Sequence, residues 1–110
     1  MPALDTNTLF NSMLSAAKDS LAQTLPALKA ASVDALKLLA QNLVSITAMV
    51  ADGTATEEQA KILFAMQKNA AQTVLLTEEG LALIAAQSAI NAALAVVSSA
   101  VNAALGFSLL

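Results

Sequence analysis

A few short stretches of this chain hold the residue types from which chemistry is usually built. Ser15 and Lys18, in SAAK, have the Ser-x-x-Lys spacing of a serine nucleophile and its lysine. No companion motif accompanies them, so a solvated helix face is the better reading. Glu57/Glu58 and Glu78/Glu79 are carboxylate pairs of the kind that general acid–base chemistry uses. Adjacent residues on a helix diverge by about 100°, so neither pair can share one substrate bond. Complementing a helix dipole explains them better. DGTATEE, from Asp52, opens like a calcium loop but lacks its regular oxygen ligands, and reads as a turn.

The chain has no His and no Cys. Triads built on His, Cys–His pairs, thiolate metal sites and the Glu-x-x-His pairs of di-iron bundles are therefore excluded. Phe10, Phe64, Phe107 and the Met residues sit among apolar neighbours and read as packing residues. The expectation is a protein that is not an enzyme, without cofactor or metal.

What must be positioned, then, is surface. Hydrophobic residues make up 57% of the 110 residues and charged residues 12%, with a mean hydropathy of +0.69. Ordinary domains have about 45–50% and about 25%. Much of the apolar share is Ala, which favours helices packed closely side by side. The net charge is −3, with five Lys and no Arg, so no basic stripe exists to bind nucleic acid. The N-terminal stretch has neither a basic region nor a long apolar core, so no signal peptide is expected. That favours a cytoplasmic or virion-associated protein and leaves the membrane open.

The plainest punctuation lies mid-chain. Asp52-Gly53 is a turn or helix C-cap signal, and Thr56 reads as an N-cap with Gln59 completing a capping box. Leu36, Leu39, Leu43, Ile46 and Val50 form a helical seam before the turn. Phe10, Leu14, Ala17, Leu21, Leu25 and Leu28 extend it upstream, and Leu63, Met66, Ala70 and Val74 answer it downstream. The fold class expected is all-α, a single domain over residues 1–110. It is a long antiparallel hairpin of helices over about 6–51 and 57–106, joined by a turn at 52–55 and each roughly 70 Å long. Pro26 is expected to kink the first helix and Gly80 the second, at matching heights. Around Gly80, Thr77 reads as a fresh N-cap with Glu78 and Glu79 in the first turn. The alternative is a four-helix bundle, with the chain split at both points.

From Gly80 to Leu110 the chain carries no charge. Within this stretch SAINAALA (Ser88–Ala95) returns as SAVNAALG (Ser99–Gly106), displaced by eleven residues, or about three helical turns. One continuous helix would align Asn91 with Asn102 and Leu94 with Leu105. It would also draw Gln87, Asn91, Ser98 and Asn102 into a narrow polar stripe. Ala85/Ala89/Ala93 and Ala95/Ser99/Ala103 are small-xxx-small sets that permit close helix packing.

Such a helix must be surrounded on most faces. A bilayer would suffice by length, but no Trp or Tyr belt and no terminal Lys or Arg is present to anchor it. A compact monomer would need sharp folding at Pro26 and Gly80. Burial in copies of the same chain is favoured, with the Asn stripe setting register or lining a lumen.

The chain is thus expected to be a non-enzymatic structural protein, a homo-oligomer built through its C-terminal helix into a ring, tube or bundle. In character it is similar to small proteins that polymerise, such as virion and phage assembly or ejection components and filament subunits. Other assembly proteins are then the expected partners. The alternatives are a membrane-inserted, pore-forming or holin-like hairpin, and a monomeric helical adaptor whose groove takes a partner helix.

Overall fold

The computed structural model describes residues 4–22 and 27–110, and they form five helices. These are α1 (Thr6–Leu21), α2 (Ala30–Ala51), α3 (Glu57–Glu79), α4 (Leu83–Ala95) and α5 (Ser98–Leu105). No strand occurs among the described residues. Pro26, the expected kink of the first helix, lies outside them.

Two continuous helices of about 70 Å are not what this chain builds. The longest dimension is 41 Å, against 23 and 20 Å across it. Laid end to end, α3 and α4 alone would reach well over 50 Å at 1.5 Å per residue. The chain must therefore fold back between them. α1 packs on α2 and α4, and α3 packs on the same two helices, which closes a ring of four. α5 packs on α2 and α4. This layout lies nearer the four-helix alternative than the long hairpin.

α2 and α3 run antiparallel. Asn42 Nδ2 donates to Gln67 Oε1 at 2.7 Å, and Ser32 Oγ donates to Glu79 Oε2 at 2.6 Å. The turn between them is made from local chemistry. Gly53, at φ +81°, supplies the left-handed residue that a side chain would strain. Thr54 donates its N–H and its hydroxyl to Asp52 Oδ1, at 3.0 and 2.7 Å. Thr56 Oγ1 then accepts the N–H of Gln59, while Gln59 Oε1 accepts the N–H of Thr56, so each satisfies an end group of α3.

Gly80 ends a helix instead of bending one. It sits at φ +64°, ψ +31° as the left-handed C-cap of α3, and α4 starts three residues later. Thr77, Glu78 and Glu79 thus belong to the last turn of α3, not to the first turn of a new helix. The reading of Thr77 as a cap fails because Gly80 can take a conformation that stops the helix at once.

The core draws one stripe from every helix. Leu9, Met13, Ala17 and Leu21 of α1 are buried with Leu36, Leu39, Leu43 and Ile46 of α2. They meet Ala60, Phe64, Ala71 and Leu75 of α3, Ala86, Ala89, Ile90 and Ala93 of α4, and Val101 of α5. The seam expected on the two flanking helices is therefore turned in part: Ala17 and Leu21 are buried as expected, and Leu25 lies outside the described residues. Leu9 and Met13 go inward where Phe10 and Leu14 are only half-buried, and Met66 and Ala70 point to solvent. In an Ala-rich helix two neighbouring stripes share the three- and four-residue spacing, and packing chooses between them.

Candidate interaction surfaces

The terminal stretch supplies both core and surface. Leu81, Ala86, Ala89, Ile90, Ala93, Leu94, Val97 and Val101 are buried in the chain's own fold. Ala85, Ala89 and Ala93 lie on or beside that inner face, where α4 meets α1. The second small-residue set, Ala95, Ser99 and Ala103, is exposed and divided by a break.

That break dissolves the expected stripe. α4 ends at Ala95, α5 starts at Ser98, and their axes differ by 58°. Gln87 and Asn91 ride on one helix, Ser98 and Asn102 on the other, so the eleven-residue repeat does not share an azimuth. Asn91 is exposed. Asn102 is engaged within its own chain. Its Oδ1 accepts the N–H groups of Leu109 and Leu110 at 2.8 and 3.0 Å, and its Nδ2 donates to the Leu110 carbonyl at 3.1 Å. The amide holds residues 107–110 back against the bundle, where Phe107, Leu109 and Leu110 pack on the core.

Gln87 and Asn91 instead belong to an outer face of α4. Ile84, Gln87, Ser88, Asn91 and Ala95 follow helical spacing and are all exposed. Ile84 is 77% exposed, and Leu83 and Val96 flank the face at 54% and 55%. No charge lies on it.

A groove was expected among the alternatives, but the sequence did not place it. Between α2 and α3 runs a hollow of about 390 Å³, lined by Ala31, Ala35, Leu38, Ala70 and Val74 and by the buried Leu39 and Ala71. Asp34 and Glu78 border it at one end. A separate, smaller hollow of about 260 Å³ lies near the turn, between Met49, Ile62 and Leu63. The signal was present in the sequence: α2 has apolar residues on more of its circumference than one core stripe needs.

A third hollow, of about 370 Å³, lies on the other side of α3, lined by Phe64, Lys68, Asn91, Leu94 and Ser98 together with the terminal residues.

The remaining chemistry-bearing motifs stay apart. Ser15 and Lys18 are both exposed. Glu57 pairs with Lys61 at 3.2 Å, one turn along an exposed helix face. Among the described residues no group of three or more metal-ligating side chains converges. Two carboxyls are held below their ordinary value. Asp5 is lowered first by the Thr8 hydroxyl and then by the Asn7 N–H, and Asp52 first by the Thr54 hydroxyl and then by its N–H. Both are helix-end devices in full contact with water.

α2 is long and apolar enough to cross a membrane by length and composition, and 28% of its most apolar window is buried. It carries Asp34 and Lys37. No protein-family model, curated protein or solved structure matches the chain.

Proposed function

We propose that this chain is a non-enzymatic structural protein that self-associates through the outer face of its uncharged C-terminal segment. The observation that supports this is the α4 face headed by Ile84, with Leu83 and Val96 beside it and no charged residue of its own. Burying apolar surface gains about 25 cal/mol per Å², and ionised groups at an interface offset that gain. Gln87 and Asn91, in the middle of the face, would pair across it and fix register, as single buried amides do in helical assemblies. The assembly is a ring, tube or bundle, and other assembly proteins are its natural partners.

The test is the molar mass by light scattering of protein purified without detergent. A discrete multimer that Ile84→Lys reduces to monomer supports the reading. A monomeric wild-type protein overturns it. Protein recovered only with detergent moves the same surface into a bilayer, a reading that draws on the length and composition of α2.

A further inference from the structure

Among the described residues the exposed large hydrophobics fall into two sets. Leu38, Ile62 and Met66 stand on α2 and α3, and Leu83, Ile84 and Val96 belong to α4 and its C-cap. The exposed residues of α1 and α5 are small or polar. One chain thus carries two uncovered apolar surfaces, and they differ in shape. The outside of α4 is convex and headed by Ile84. The hollow between α2 and α3 is concave, and Ala31, Ala35 and Ala70 present only methyl groups to it.

Side-chain sizes match when α4 is laid antiparallel to α3. On α4, Ile84, Ser88 and Ala92 follow one another at four-residue steps, one large residue and then two small ones. On α3, read backwards, Ala70, Met66 and Ile62 do the reverse, one small residue and then two large ones. Ridges of this spacing interdigitate between packed helices. With Ile84 beside Ala70, Gln87 comes level with Gln67, because each amide lies three residues, or about 4.5 Å, further on. Gln67 lines the hollow; its Oε1 accepts from Asn42, and among the described residues its Nε2 has no acceptor.

Charge is compatible with an uncharged occupant. Lys29, Asp34, Lys37 and Glu78 stand near one end of the hollow, so both signs are present and no single-sign field is offered. They can stay in water at the rim of a contact whose centre is apolar. Two α4 faces set together would leave the hollow empty, and two hollows set together would enclose a void.

We infer that α4 of one copy lies in the α2–α3 groove of another, with Ile84 in the hollow beside Ala70 and Gln87 beside Gln67. This rests on the self-association proposed above and names the other half of the contact. The joined surfaces are unlike, so each copy can donate α4 and receive a neighbour's at once. Such a contact can repeat around a ring or along a tube.

Light scattering on full-length variants tests it. Ile84→Lys spoils the face, and Ala70→Trp, at an exposed position, fills the hollow. Each alone should be a monomer of about 11.2 kDa with the circular dichroism of the parent. Mixed in equal amounts they should form a 1:1 heterodimer, since the first keeps its groove and the second its face. In isotopically labelled Ile84→Lys, adding unlabelled Ala70→Trp should shift the amides of Ala31, Ala35, Leu38 and Ala70. Ala31→Trp, also at an exposed position, fills the hollow from α2 and takes the place of Ala70→Trp should that variant lose helix. A multimer that both Trp variants leave intact overturns the inference while self-association stands. A mixture that stays monomeric, or shifts confined to α1 or α4, overturns it too. A monomeric parent protein overturns both readings together.

Discussion

Ser32 Oγ donates to Glu79 Oε2 at 2.6 Å, and the same oxygen accepts the N–H of Lys29 at 2.7 Å. The start of α2 has no capping side chain of its own. The last turn of α3 supplies one from across the bundle. A carboxylate at its own helix C-terminus opposes that helix's dipole, whereas the α2 N-terminus beside it favours the charge. Glu79 therefore ties two helix ends together, and Ser32, 0% exposed, is the buried hydroxyl that depends on it.

Glu79→Ala strands that hydroxyl, at an expected cost of about 1–3 kcal/mol. Ser32→Ala leaves nothing buried unpaired and costs less. In a urea-denaturation cycle the double variant should be more stable than the two single losses added. Strict additivity would show that the contact does not hold α2 to α3.

Replacing Gly80 tests whether it stops the helix or merely weakens it. A Cβ there meets no atom within 4 Å, so the whole penalty of Gly80→Ala is left-handed backbone strain, about 1–2 kcal/mol. Gly80→Asn should cost less, since Asn tolerates that region. Thermal midpoints should rank Gly, Asn, Ala from high to low. An Ala variant as stable as the parent would mean that α3 runs on through this point.

Acid sensitivity should be traceable to the turn. Asp52 is held below the ordinary 3.8, so the unfolded chain takes up its proton before the folded one does. Its contribution is complete above that value and is lost as pH falls through the lower, folded one. Asp52→Asn keeps the side-chain acceptor for Thr54 but removes the titration. Stability measured against pH should fall less steeply below 3.8 in this variant, and an unchanged slope would remove Asp52 from the account.

Asn102→Leu should release the tail. The amide hydrogens of Leu109 and Leu110 lose their acceptor, so their exchange with solvent should approach that of an open chain while α1–α4 stay protected. Continued protection would mean that Phe107, Leu109 and Leu110 hold the tail by packing alone.

The sequence was legible where the determinants are adjacent. Asp52, Gly53, Thr56 and Gln59 specify a reversal and a helix start within eight residues, and each makes a local bond or turn in the structure. It was less legible where a choice is settled by distant atoms. Thr77-Glu78-Glu79 has the composition of a helix start, yet Glu79 serves the start of another helix. Asn91 and Asn102 have matching neighbours, but the chain breaks at Val96 and Val97 between them. One amide is left on the surface and the other is spent on the tail.

The ring of helices also favours an order of assembly. α2 and α3 are joined by a short turn and can pair early, whereas α1 and α4 are separated by everything from Leu21 to Leu83. Formed first, the inner pair shortens the loop that the outer pair must close to its two connections, so the entropy of closure falls. The pairing is nested like brackets, with the outermost bracket written last. If opening retraces that order, partial unfolding exposes Leu9, Met13, Ala89 and Ile90 while the α2–α3 hairpin stays closed.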